Sequence, residues 1–184
     1  MHCRLAELVD YAQLQRTELL NAVALVPETL RARRVECSGW SVAEVLEHLH
    51  RVESGIVRLV SRGVERARAS GAEVERDDTS VLGALDAFAL TQGTTASAPG
   101  PVMPRGELTA AQALLALDGS RKSLVAAIRT GNGLALGAIT YPHPLLGTLN
   151  LYQWILFVGQ HEARHADQVR RIAAELSRHA ESRE

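Results

Sequence analysis

Residues 40–62 read WSVAEVLEHLHRVESGIVRLVSR, a stretch that predicts a helical fold. It contains a helix start, because Ser41 and Glu44 form an S-x-x-E capping box in which each side chain bonds the other residue's backbone N–H. Trp40 and Val45 occupy the two positions of a hydrophobic staple around that start. Apolar residues then recur at helical spacing, so we expect one helix to continue to the end of the quoted stretch.

Three further segments are predicted to be helices. Apolar residues recur at helical spacing over residues 4–25. Thr109 and Gln112 form a second capping box, which opens a helix that ends at Gly131. A final helix is expected over residues 148–178. Together the four segments predict an all-α fold, an antiparallel four-helix bundle with a long connection between its second and third helices.

The connections between these helices carry weaker signals. Residues 80–90 could form a short helix within a stretch that is otherwise polar and irregular. Residues 140–147, TYPHPLLG, are expected to form a loop, and His143 between its two prolines is expected in a turn. The regular structure of the chain is therefore expected to lie in helices.

Composition and charge exclude several classes of function. The 184 residues suit a single domain over 1–184, and 53 of them are Ala or Leu, which favours packed helices over sheet. A formal net charge of −1 gives no basic field that would hold nucleic acid or an anionic membrane. We therefore expect neither of these partners.

The amino-terminal sequence and the cysteines bear on the compartment. No apolar stretch approaches the roughly 18 residues that a membrane span requires, and residues 1–13 lack the pattern of a signal peptide. A cytoplasmic location is expected. In a reducing compartment Cys3 and Cys37 are expected to be free thiols.

The final predicted helix contains His161-Glu162-Ala163-Arg164-His165. The two imidazoles are four residues apart, so they lie on one face and can share a metal ion. Apart from Gln168 that face is apolar, and imidazoles buried in a helical core need partners for their ring nitrogens. A shared metal ion would meet that need. In the alternative interpretation the two histidines are structural, and carboxylates or water molecules bind their ring nitrogens. Glu162 and Arg164, which lie between the two histidines in the sequence, are expected to be solvated or interfacial charges.

A third ligand would favour the metal site over buried structural histidines. His48 and His50 lie in the second predicted helix, one on each flank of its apolar stripe. Periodicity alone does not choose between them. His2 and His179 lie near the ends of the chain, where solvated residues are expected.

The pentapeptide also matches the H-E-x-x-H signature of zinc metalloproteases, in which Glu162 would be the general base. The metzincin extension requires a glycine where Gln168 stands and a histidine where Arg171 stands, so that branch is excluded. A downstream ligand could still come from Glu175 or Glu181. Because such short matches arise by chance in helices rich in Ala, Arg and Glu, this is the weaker interpretation.

Three motifs, taken in order, resemble the DinB-like superfamily of metal-dependent enzymes. They are GWSVAEVLEHL (39–49), HPLLG (143–147) and HEARHADQ (161–168). The resemblance extends from the second predicted helix to the fourth. It implies a divalent metal ion held inside a four-helix bundle by His48, His161 and His165. It also explains Gln168 on the histidine face, where its amide can orient a ligand or a bound water.

Three imidazoles leave the ion its full charge and at least one position open for water or substrate. Zinc or nickel suits such a site. The resemblance implies S-transfer from a low-molecular-weight thiol to a small electrophile, or hydrolysis by a metal-activated water. A non-catalytic, metal-binding stress-response protein is a third alternative. Bundles of this family often pair, so a homodimer is expected, and no catalytic residue beyond the ligands is assigned.

Overall fold

Four long helices make up most of the computed structural model, which describes residues 1–86 and 100–181. The helices are α1 (Cys3–Ala24), α2 (Val42–Ala69), α3 (Ala110–Thr130) and α4 (Leu151–Glu181). Two short strands, β1 (Thr140–His143) and β2 (Gly147–Asn150), connect α3 to α4. Within the described ranges, no helix combines the length and the apolar character that a membrane span needs.

Both predicted capping boxes are formed. Ser41 Oγ accepts from the Glu44 N–H at 3.3 Å, and Glu44 Oε2 accepts from the Ser41 N–H at 2.8 Å. Thr109 and Gln112 make the same reciprocal pair at 3.2 and 2.9 Å. These bonds satisfy N–H groups that have no partner within the helix, and so they fix where α2 and α3 begin.

The prediction that α2 ends near Arg62 is wrong, because the helix continues to Ala69. Gly63 does not interrupt it. A Cβ placed on Gly63 would lie 2.7 Å from the Leu151 side chain, so the glycine lets α2 and α4 approach closely. After Ala69 the chain turns at Ser70 and Gly71, and the φ of 68° at Gly71 favours glycine.

The all-α prediction is wrong over residues 140–150, which form a hairpin rather than a loop. Its antiparallel register pairs Thr140 with Asn150 and His143 with Gly147. A two-stranded sheet has an open edge on each strand, so Pro142 can occupy β1 without losing a ladder bond. Because the second strand takes up residues 147–150, α4 begins at Leu151 instead of near residue 148.

The short helix predicted over residues 80–90 lies only partly within the described residues. Residues 82–85 form turns, with a bond from Ala84 N–H to Val81 C=O at 3.1 Å, and Asp86 has 3₁₀-helical conformation. The rest of that prediction falls on residues 87–90, which lie outside the described ranges.

Helices α1 and α4 run in the same direction. Gly159 lies against the Tyr11 ring, and further along both helices Glu18 forms an ion pair of 2.7 Å with Arg170. By contrast, α2 runs opposite to α4, since Gly63 near its end meets Leu151 at the start of α4.

Helices α2 and α3 also run in the same direction. Glu53 accepts from Ser120, and later in both helices Val64 lies against Gly131. Antiparallel packing therefore describes α2 with α4 but not α1 with α4 or α2 with α3. Two parallel helices that follow one another in the chain require a long connection, as predicted between α2 and α3.

The core is divided into two apolar clusters by a polar layer. All four helices contribute to the cluster nearer the hairpin, for example through Leu8, Ile56, Leu124 and Val158. The second cluster likewise includes Leu19, Leu49, Leu117 and Ala166. Between them, each helix contributes a buried charged residue: Arg16, Glu53, Arg121 and Glu162. His161 and His165 lie on α4 next to this polar layer, on either side of Glu162 in the sequence.

Candidate metal centre

Three histidines from two helices meet next to the polar layer. His48 comes from α2, and His161 and His165 come from successive turns of α4. The Nε2 atom of His161 lies 3.3 Å from Nε2 of His48 and 3.1 Å from Nε2 of His165. Two nitrogens that bind one tetrahedral zinc ion are separated by roughly 3.3 Å. The ligand atoms of the group all lie within 4.8 Å of one another, so the three residues could hold a metal ion.

The hydrogen bonds of two of these rings point to a cation between the nitrogens. His48 Nδ1 lies 2.8 Å from the Val102 carbonyl oxygen, and His165 Nδ1 lies 2.6 Å from Gln168 Oε1. Because both partners are acceptors, each Nδ1 carries the proton and each Nε2 keeps its lone pair. His161 Nε2 could donate to at most one of these lone pairs. A metal ion would bind the lone pairs of all three nitrogens, so these residues fit a metal site.

Burial keeps the imidazoles neutral. It lowers the pKa of His48, lowers that of His161 well below its usual value, and lowers that of His165 to about 3. Mutual repulsion between the rings acts in the same direction for His161. Neutral imidazole is the form that binds metal, so the site is in its ligand state at neutral pH.

Aromatic rings surround the three ligands. The Trp40 ring centroid lies 5.0 Å from that of His48 and 6.4 Å from that of His165, against which it stacks. On the other side, Phe157 stacks on His161 at 5.0 Å. His143 lies at the end of β1, and its ring centroid is 4.8 Å from that of Phe157. The HPLLG motif therefore contacts the aromatic residues beside the ligands.

Gln168 links the site to the loop before α2. Its Oε1 accepts from His165 Nδ1, and its Nε2 donates to Ser38 Oγ at 2.8 Å. The same loop is held on α4 by Glu175, which accepts from the backbone N–H groups of Glu36 and Cys37. Gln168 thus occupies the position in which it would orient a metal ligand.

The structure places the other candidate residues elsewhere. His50 lies on another face of α2, with Nδ1 3.5 Å from Ser54 Oγ. His179 lies 3.7 Å from Glu175 near the end of α4. Cys3 and Cys37 are free and exposed, as predicted. The side chain of Glu181 lies outside the described residues.

Of the two alternatives for Glu162, a solvated or an interfacial charge, the structure shows the interfacial one, because the side chain is only 2% exposed and bonds to α1 and α3. It follows His161 in the sequence but lies about 100° further around α4. Its Oε1 accepts from Arg16 Nε at 2.8 Å, and its Oε2 accepts from Arg121 Nη2 at 2.8 Å. Both carboxylate oxygens are bonded to arginines and directed away from the ligand nitrogens, so the geometry does not support the protease interpretation.

Glu162 belongs to a buried ring of charges that the sequence did not reveal. Glu53 completes the ring, with Oε2 3.0 Å from Arg16 Nη2 and Oε1 2.6 Å from Arg121 Nε. Ser120 donates a further bond to Glu53 at 2.5 Å. Two arginines and two glutamates thus join all four helices with no net charge. The sequence signal for this ring is a single charged residue within the apolar stripe of each helix.

The family resemblance carried by the motifs agrees with what comparisons with known proteins find. The family model of the DinB superfamily matches residues 7–169. The chain is also 26% identical over 164 residues to the uncharacterized protein YuaE of Bacillus subtilis (strain 168), across 89% of this chain and 95% of YuaE. No solved structure gives a significant match. Since the family model spans most of the sequence, the chain belongs to the DinB superfamily.

Proposed function

We propose that this protein is a metal-dependent thiol S-transferase, which joins the sulfur of a low-molecular-weight thiol to a carbon of a small electrophile. The observation that carries the proposal is the convergence of three Nε2 atoms, from His48, His161 and His165. Within the described residues these three form the ligand group, which leaves a coordination position for an exogenous ligand. When bound there, zinc or nickel would supply the charge that acidifies a coordinated thiol.

The carboxylates near the ligands favour a nucleophile that needs no separate base. Glu162 is bound by two arginines, Glu47 accepts from Arg51 and three backbone N–H groups, and Glu175 accepts from two. None of these three is available to take a proton from substrate. A thiol bound to a cation held by these histidines would be acidic enough to need no protein base, so a thiol nucleophile suits this site.

The chain itself would position the reactants. Gln168 and the Val102 carbonyl hold two imidazoles in the orientation that presents Nε2. Trp40 and Phe157 provide apolar surfaces beside the ligands, which limits access of water and suits a carbon electrophile with little charge. The metal ligands would thus select the thiol, and the aromatic rings would contact the second substrate.

The proposal is tested by supplying zinc-loaded or nickel-loaded protein with glutathione, bacillithiol or mycothiol and with a halogenated aromatic compound or an epoxide. With the halogenated compound, sulfur displaces halide, so one thioether, one halide ion and one proton form for each thiol consumed. We expect turnover to require both the thiol and the metal. His161→Ala should abolish it together with metal binding, whereas His50→Ala should leave both intact, because His50 lies outside the ligand group.

Metal-dependent hydrolysis is the competing outcome. If wild-type protein turns over an electrophile equally well without any thiol, and His161→Ala does not, the S-transferase proposal is wrong and a hydrolase takes its place. If metal is bound and none of these thiols supports turnover, the S-transferase proposal is also rejected, and a non-catalytic metal-binding protein is favoured.

A further inference from the structure

A short segment before α3 is fastened to α2 beside the candidate metal site. We call residues 100–107 the strap. The backbone N–H groups of Arg105, Gly106 and Glu107 all donate to the Glu47 carboxylate, at 3.1, 2.9 and 3.3 Å. Glu47 is fully buried, so these bonds are shielded from competing water. The carboxylate therefore anchors the second half of the strap.

The first half of the strap contacts the next residue of α2. The Val102 carbonyl lies 2.8 Å from His48 Nδ1. Glu47 and His48 are consecutive in α2, so the strap is held at two points by adjacent side chains of one helix. Only a short stretch of chain separates the two points, and a change in one anchor will be transmitted to the other.

We propose that Glu47 is a positioning residue for the metal site, because by anchoring the strap it keeps the Val102 carbonyl against His48 Nδ1 and so leaves Nε2 free for the ion. The inference rests on the metal site of the proposed function but not on the reaction. Without the anchor, His48 Nδ1 loses its fixed acceptor, and the ring is free to rotate or to carry its proton on Nε2. The predicted result is weaker metal binding with the same three ligands.

The chain offers a matched control in the same segment. Arg51 donates to Glu47 Oε1 at 2.7 Å and to Glu107 Oε2 at 3.0 Å. The Glu107 side chain is 57% exposed and makes none of the backbone contacts that hold the strap. Glu107→Gln therefore removes a charge next to Arg51 but leaves the Glu47 anchor in place.

The test measures zinc affinity and the tautomer of His48, the latter from imidazole ¹⁵N shifts in the metal-free protein. In the wild type we expect the proton on Nδ1. Glu47→Gln should bind zinc about 10–100-fold more weakly, as for other groups that orient a metal ligand. It should also place part of the His48 population in the Nε2–H form. Glu107→Gln should match the wild type in both measurements.

Unchanged zinc affinity and tautomer in a folded Glu47→Gln protein would overturn the inference, as would an Nε2–H His48 in the wild type. If Glu47→Gln does not fold, Gly106→Ala replaces it. The φ of Gly106 is +70°, so the alanine strains the strap without touching the ligands, and wild-type zinc affinity in that variant would count against the proposal. A wild-type protein that binds no metal would instead reject the proposed function.

Discussion

Arg16 and Glu162 form a buried ion pair between α1 and α4, with Nε of the arginine 2.8 Å from Oε1 of the glutamate. Each also bonds to another member of the charged ring, so neither charge can be lost without leaving an uncompensated partner in the core. Removing one member of a buried pair typically costs about 3–5 kcal/mol. We expect Glu162→Gln to lower the free energy of unfolding by about that amount, measured by urea denaturation.

The same variant separates the ring from the histidine site. Glu162→Gln should retain wild-type metal stoichiometry under native conditions, because the glutamate contacts the arginines and not the ligand nitrogens. His161→Ala should show the opposite pattern, with metal lost and the ring intact. Loss of metal from a folded Glu162→Gln protein would contradict this division.

Gly159 allows α1 and α4 to approach. A Cβ at this position would lie 2.7 Å from two atoms of the Tyr11 ring and 3.4 Å from the backbone of Ala12. Gly159→Ala should therefore destabilise the protein by about 1–3 kcal/mol through overpacking. Gly119→Ala in α3 is the control, since nothing lies within 4 Å of its Cβ position. It should stabilise by about 0.5–1 kcal/mol, and equal effects at both glycines would refute the packing argument.

Metal binding should stabilise the fold. A ligand that binds only the folded state adds about 2.7 kcal/mol when its free concentration is 100 times Kd. Thermal unfolding of the wild type should shift upward with added zinc and return after chelation. The shift should persist in His50→Ala and disappear in His161→Ala. A zinc-induced shift of wild-type size in His161→Ala would exclude the histidine site as its cause.

Tyr152 should make stability fall at alkaline pH. Burial and the hydrogen bond to Glu75 raise the pKa of its hydroxyl above the usual value. The folded state thus holds this proton more tightly than the unfolded state, so the stabilisation is complete below pH about 10 and is lost as pH rises above it. Urea midpoints at rising pH should drop more steeply for the wild type than for Tyr152→Phe. Parallel curves would show that Tyr152 is not responsible.

The starts of α2 and α3 could be predicted because capping is local. The Ser41–Glu44 pair involves residues three apart, so the sequence contains everything that the interaction requires. Helix ends and the hairpin depend on tertiary contacts. Gly63 looks like an interruption until Leu151 is placed beside it. Likewise, Pro142 argues against a strand until β1 is known to have an open edge.

The candidate site was predictable in part for a similar reason. The spacing of His161 and His165 places them on one face of α4, which is a local property. The choice of His48 over His50 depends on which face of α2 meets α4, and the sequence resolved it only through the family resemblance. The charged ring was missed because each member resembles an ordinary charged residue of an amphipathic helix. Its burial becomes favourable only when all four helices are assembled.

Because α3 runs parallel to α2, their contacts join residues that are far apart in the chain, as when Ser120 bonds Glu53 across 67 positions. Bundles with short loops fold rapidly because most of their contacts are between neighbouring segments, and folding slows as the mean sequence separation of contacts increases. Here a long loop must close before the polar layer can form, and that closure has an entropic cost. We therefore expect this chain to fold more slowly than an up-and-down helical bundle of equal length.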